Sequence, residues 1–350
     1  MAWFDESRLD DATALGAADL RLRTLAESGA RVRREAGGAA EATALGVAGS
    51  QDARPRAVIA AGPDSRLLRA VLEPSCPVPF VAWPGPALPG WAGSLDLVVV
   101  LAPNGSDSGT ASAVAEANRR GCQVVVACPP ASMVAEHAAG RYSSILPTVT
   151  DDQLATAVVM LSFLDQLGLG PEADPDRVAD ALDDVAEACS PHRDLSINPA
   201  KMLAIALADA TPIVWGGSVL AARAARRIAE SIRRTSGRTA LAGDAEHLLP
   251  VIEAAKAHSV FDDPFADGGG DLRPVLVVLA DETDADAGDQ AGGDPVVREH
   301  RGRLLAAAAE RGVRVETVST DATTDVARYA SLLLTGTYAA EYLRLGLVDD

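Results

Sequence analysis

Two short segments carry residues whose types and order suit phosphate binding. The first is Asn104, Gly105, Ser106, Asp107, Ser108, Gly109 and Thr110, set between the apolar run 98–101 and the Ala-rich segment 111–120. A small, hydroxyl-rich loop between a parallel strand and a helix N-terminus can cradle an anion. The helix leaves its first N–H groups unpaired, and its dipole favours negative charge there. Asn104, Gly105, Ser106, Ser108 and Thr110 are therefore candidate phosphate ligands. Gly216, Gly217 and Ser218 stand in the same relation to the apolar run 212–215 and to the helical segment that follows. Both segments read equally as plain turns, with Ser108 or Thr110 capping the first helix and Ser218 the second. Asp107 favours the plain turn, because a carboxylate facing the same amides competes with phosphate. The loop Gly62, Pro63, Asp64, Ser65 is poorer, with Asp64 as the expected cap. It is not GxGxxG, so a dinucleotide fold has no support.

The five histidines, His137, His192, His247, His258 and His300, show no metal-ligand spacing. His137, His247 and His300 sit in polar helical contexts and are expected to be solvated. His258, just before the turn FDDPFAD at 261–267, and Glu253 are the two candidate catalytic groups; no other is assigned. Cys76, Cys122, Cys128 and Cys189 lack CxxC spacing, and Cys122 and Cys128 flank an apolar run. Buried thiols in a reducing compartment are expected. No metal site, no cofactor, no GxSxG elbow and no Walker loop is expected.

The elements that must position these residues follow from the apolar pattern. Short runs at 57–61, 78–82, 95–101, 124–127 and 144–146 alternate with helical segments, and a second series has runs at 212–215, 239–242, 274–280 and 313–318. Strands separated by helices imply parallel sheets covered on both faces. The expected fold is α/β, with two doubly wound αβα sandwiches. Residues 1–50 form helices packed on the first domain, 51–170 are the first domain and 190–350 the second, with the crossing between 167 and 197. Two similar series of about 150 residues suggest a duplicated domain. The tract 281–295 is acidic and Gly-rich, and a surface loop is expected.

Composition narrows the partners. In 350 residues the formal charge is −18, and only Lys201 and Lys256 are lysines. Such a field repels nucleic acid and anionic membranes, so neither is expected as a partner. It repels phosphorylated metabolites at long range too, so a phosphate site must be local. The N-terminus lacks an apolar leader and no run is long enough to span a membrane, so a cytoplasmic setting is expected.

The motifs resemble one family, the bifunctional phosphoglucose/phosphomannose isomerases with two sugar-isomerase (SIS) domains. RPRAVIAAG (54–62) is similar to the family's first strand, and 83–110 to its LPxWV segment and SYSGNTEET phosphate loop. NPAK (198–201) with 212–227 resembles the opening of the second domain, and 261–267 the turn after the catalytic histidine segment. The resemblance implies a sugar-phosphate ligand and a homodimer.

It also exposes departures. Asp107 replaces a threonine, no arginine stands near 150–152, Arg234 occupies the place of the base glutamate and Gly237 that of a lysine. The histidine's place falls on Ala254 or Ala255, and no lysine follows near the C-terminus. Aldose–ketose isomerisation needs a group to open the ring, a base at C1–C2 and a cation for the enediolate. The expectation is a phosphosugar-binding protein with a degenerate catalytic site. The alternatives are an active glucose 6-phosphate/mannose 6-phosphate isomerase rebuilt from His258, His192, Lys201 and Glu253, and a structural protein with closed sites.

Overall fold

The computed structural model describes residues 3–50, 54–255, 273–281 and 294–348. His258, the turn 261–267 and residues 282–293 of the acidic tract lie outside the described residues. Two compact units emerge: Glu27–Ala181 with Thr324–Ala327, and Met1–Ala26 with Leu182–Thr323 and Arg328–Asp350.

The chain opens with β1 (Trp3–Phe4) and α1 (Ala12–Ala26), which belong to the second of these units. The Glu27–Ala181 unit then runs α2 (Ser28–Ser50), β2 (Val58–Ala61), α3 (Ser65–Leu72), β3 (Phe80–Trp83), β4 (Leu97–Leu101), α4 (Ser108–Arg119), β5 (Gln123–Cys128), α5 (Met133–His137), β6 (Ser143–Pro147) and α6 (Gln153–Gln166). All five strands of its sheet are parallel, in the order β3-β2-β4-β5-β6. The unbroken runs LVVVL and VVVA are what a strand covered on both faces needs, and every residue of β4 is buried. On one face Ile59, Val98, Val100, Val124 and Val126 pack with Ala113, Val114 and Ala117 of α4. The strand β3 begins at Phe80, two residues into the apolar run 78–82, because Pro79 lacks an N–H and suits only the start of an edge strand. The winding reverses between β2 and β4, so their carboxyl ends frame a crevice of the kind where open α/β sheets bind ligands.

The other unit continues through α7 (Pro175–Ala188), whose second half it includes, to α8 (Pro199–Leu207), β7 (Ala210–Gly216), α9 (Val219–Ser236), β8 (Leu241–Ala242), α10 (Ala245–Glu253), β9 (Arg273–Ala280), α11 (Pro295–Arg311), β10 (Arg314–Ser319), α12 (Asp325–Gly346) and β11 (Leu347–Val348). Its parallel sheet has the order β10-β9-β7-β8. The first strand of this sheet again lies between the second and third, so the winding matches the larger sheet and reverses between β7 and β9. Both units are thus α/β with parallel sheets, as the pattern of runs implied.

One expectation needs correction. Residues 1–50 do not act as one segment packed on the first domain: the chain up to Ala26 groups with the second half. The cause is a set of polar ties. Asp5 N donates to Gly346 O at 2.8 Å, Arg8 Nε to Leu345 O at 2.8 Å and Arg21 Nε to Glu341 at 2.9 Å, while β1 pairs antiparallel with β11. The apolar face of α9 is covered within its own unit: Ala221, Ala224, Ala225, Ile228, Ala229 and Ile232 are buried, and Ile228 packs against Gly336 of α12.

Candidate functional site

At the first crevice the loop after β4 is held by its own side chains. Gly105 has φ +64°, a left-handed conformation that glycine adopts without penalty. Any Cβ there would stand 2.2 Å from Cβ of Ser132. Ser106 donates through N and Oγ to Asn104 Oδ1, at 3.1 and 3.2 Å. The cap of α4 is Asp107, not Ser108 or Thr110 as the sequence suggested. Its Oδ2 accepts from Thr110 N at 2.7 Å and from Thr110 Oγ1 at 2.6 Å. A carboxylate takes this place because it accepts two donors at once and its charge complements the helix dipole. Thr110 is consequently buried and its hydroxyl is spent inside the loop.

Asn104, Ser106 and Ser108 remain exposed beside the amide of Gly109. The loop after β2 lies close by, since a Cβ on Gly62 would meet Thr110 Oγ1 at 2.9 Å. Asp64 makes no side-chain cap bond to α3; it accepts from Gln153 Nε2 of α6 instead. Ser65 is buried and its Oγ has no hydrogen-bond partner among the described residues. Beyond β6, where the resembling family has an arginine, Asp152 caps α6 and pairs with Arg31 at 2.6 Å. Buried Glu35 accepts from Val149 N at 2.9 Å and Thr150 N at 2.5 Å. Carboxylates therefore hold the backbone donors at this end of the sheet.

The second crevice follows the same logic. Gly216 ends β7, and a Cβ there would lie 2.3 Å from the backbone carbon of Ala221, so only glycine lets the strand turn this tightly into α9. Ser218 caps α9, accepting from Ala221 N at 3.0 Å, as the sequence suggested. Its hydroxyl donates to Asp281 at the end of β9. Trp215, Gly217, Val297 and Asp281 line a shallow opening here, together with Arg298 and Arg301.

The positions that the resemblance linked to catalysis are dispersed. Arg234 lies near the end of α9 with its side chain 75% exposed, 3.6 Å from Glu230. Gly237 is the left-handed cap of that helix, at φ +71°. Glu253 is exposed at the end of α10, with Ala254 as the cap. Lys201 is fully buried and its three donors are all used: Asp10 Oδ1 at 2.6 Å, Pro191 O at 3.0 Å and Arg193 O at 3.0 Å. Its ammonium also stands 5.7 Å from the Tyr342 ring. It is an anchor between the N-terminal segment and the chain before α8. His192 is exposed in that same segment. Burial pushes the thiols of Cys122 and Cys128 up, and that of Cys189 up to about 12, so none is a ready nucleophile. Among the described residues no cluster of three or more His, Cys, Asp or Glu could hold a metal ion, and no helix is long and apolar enough to cross a membrane.

No curated protein matches the chain. Residues 196–346 match the family described as the bacterial phospho-glucose isomerase C-terminal SIS domain. Among solved structures the chain is similar to a candidate phosphosugar isomerase from Silicibacter pomeroyi, with TM-score 0.61 and 15% identity over 91% of this chain and 95% of that one. It is also similar to tagatose-6-phosphate ketose/aldose isomerase from Escherichia coli, with TM-score 0.60 and 13% identity over 96% and 89%. The C-terminal domain of glucosamine-fructose-6-phosphate aminotransferase from Francisella tularensis gives TM-score 0.56 and 12% identity over 91% and 96%. At such identities the likeness is one of fold. The parallel sheets with their shared winding agree with that likeness of fold, and residues 196–346 are similar to the C-terminal SIS domain of the bacterial phosphoglucose isomerases.

Proposed function

We propose that the chain binds a sugar phosphate at the first crevice and has lost the isomerase chemistry of the proteins it resembles. The observation that carries the reading is the fate of the reactive positions. Arg234, where the base would stand, is solvent-exposed and beside Glu230. A guanidinium stays protonated at physiological pH and cannot abstract the C1–C2 proton. Loss of a general base alone costs about 10² to 10⁴ in rate. Rebuilding the set from Lys201 is opposed by its three filled donors, and His258 lies outside the described residues.

Binding is better supported at the first crevice. There Asn104, Ser106 and Ser108 are exposed at the N-terminus of α4, whereas the Ser218 hydroxyl at the second is engaged by Ala221 N and Asp281. The reading includes a homodimer and a cytoplasmic setting, as the resemblance and the composition imply. Light scattering at micromolar concentration tests the first of these, and a monomer contradicts it.

The functional test pairs thermal melting with a turnover assay, using glucose, fructose and mannose 6-phosphates. A ligand at 100 times its Kd stabilises the fold by about 2.7 kcal/mol. Turnover should fall below about one thousandth of an ordinary kcat of roughly 10 s⁻¹. Turnover near the ordinary rate, with host isomerase excluded, favours the active-enzyme reading. No shift with any of the three favours a structural protein.

A further inference from the structure

Away from both crevices, the unit that contains α1 has a cleft of about 560 Å³ between that helix and residues 191–194. The volume falls within the range of small-molecule sites. Leu15 and Leu22 of α1 line it from one side, and Pro191, His192 and Arg193 from the other. The second wall is held rigidly. Lys201 Nζ fastens the carbonyls of Pro191 and Arg193, Arg193 N donates to Ser190 O at 3.0 Å, and Asp194 accepts from Ser196 N at 2.9 Å.

The charges in this cleft are unevenly matched. Asp10 is held by Lys201 at 2.6 Å, Asp19 by Arg23 at 2.8 Å, and Asp194 by the N and Oγ of Ser196. Arg193 has no such partner. No described carboxylate lies within ion-pair distance of it, and its Nε is buried without a hydrogen-bond acceptor. A buried N–H of a charged group without an acceptor is costly, and structures seldom keep one unless something else supplies the acceptor.

We infer that this cleft is a ligand site for a small organic carboxylate with an apolar body, gripped by Arg193 and His192 with its body against α1. The guanidinium fork matches a carboxylate in a bidentate fashion, and Leu15 and Leu22 supply the apolar contact. A phosphate dianion suits the place less well, because Asp10, Asp19 and Asp194 stand around the same opening and repel two charges more than one.

The test is calorimetric titration of the full chain with sodium benzoate, beside inorganic phosphate and glucose 6-phosphate. Saturable benzoate binding at a single site is expected, unaffected by excess glucose 6-phosphate. Arg193→Gln should weaken it about tenfold or more, the loss of a charge-assisted hydrogen bond, with the melting temperature of the free protein not lowered, because the side chain bonds to no described group. Gly16→Leu provides a second check. Gly16 lines the cleft, and a Cβ there meets nothing within 4 Å, so the larger side chain should block benzoate while leaving α1 folded. The inference is overturned by any of four results: no saturation up to about 20 mM, equal binding by Arg193→Gln, competition by glucose 6-phosphate, or Arg193-dependent phosphate binding tighter than that of benzoate.

Discussion

Replacing Asp107 by Asn separates the two roles its position allows. Asn caps a helix about as well as Asp, so the bond from Thr110 N, 2.7 Å in the protein, can be kept and the fold should lose less than about 0.5 kcal/mol. The charge, however, disappears. Oδ2 of Asp107 lies 3.3 Å from where a Cβ of Gly109 would be. An anion on the amides of Ser108 and Gly109 would therefore stand roughly 5 Å from the carboxylate, given ordinary hydrogen-bond lengths. For a phosphate dianion the repulsion at that distance is about 1.7 kcal/mol at the dielectric of water. Physiological salt roughly halves it, to about 1 kcal/mol, or about fivefold in affinity. A drier site would make it larger, so about fivefold is the lower bound for Asp107→Asn. Titration of both proteins with glucose 6-phosphate at low and high salt reads the effect, and the gain should shrink as salt rises. Binding that weakens in the variant would refute the reasoning, since the carboxylate would then be making a ligand contact such as one to a sugar hydroxyl.

Further outcomes follow from the geometry. Lys201→Met should destabilise the chain by about 2–4 kcal/mol, read as a lower urea midpoint; the value is below that of a fully buried pair because Asp10 is 53% exposed and rehydrates. Gly216→Ala should cost about 3 kcal/mol or more, because its Cβ would meet backbone and not a movable side chain. Arg234→Glu should restore no measurable isomerase turnover, since the side chain is 75% exposed and stands beside the carboxylate of Glu230. In native protein Cys76 should react with iodoacetamide well before Cys122, Cys128 and Cys189, which are buried; equal rates would contradict the burial. With its thiol raised to about 12, Cys189 contributes stability that is intact below the ordinary thiol range and is lost as pH climbs from there towards 12, which melting at alkaline pH detects.

The strands were legible because a strand covered on both faces must be apolar throughout. The runs that became β4, β5, β7 and β9 declare themselves without any partner being known. The glycine and hydroxyl residues after β4 and β7 likewise mark strand-to-helix turns from local composition alone. What local pattern could not reveal were choices made across long separations. Nothing in α1 or α2 says which unit it joins; hydrogen bonds from Arg8, just before α1, and Arg21 within it to the far end of the chain decide it for α1. Lys201 could equally have been a reactive amine or an anchor until Asp10, 191 residues earlier, was brought to it. Ser218 could equally have been a ligand or a plain cap until β9 carried Asp281 to its hydroxyl. Burial, and therefore secondary structure, is written residue by residue in the sequence. The partner of a polar group depends on which distant segments the packing brings within hydrogen-bond reach, and the tertiary structure alone decides that.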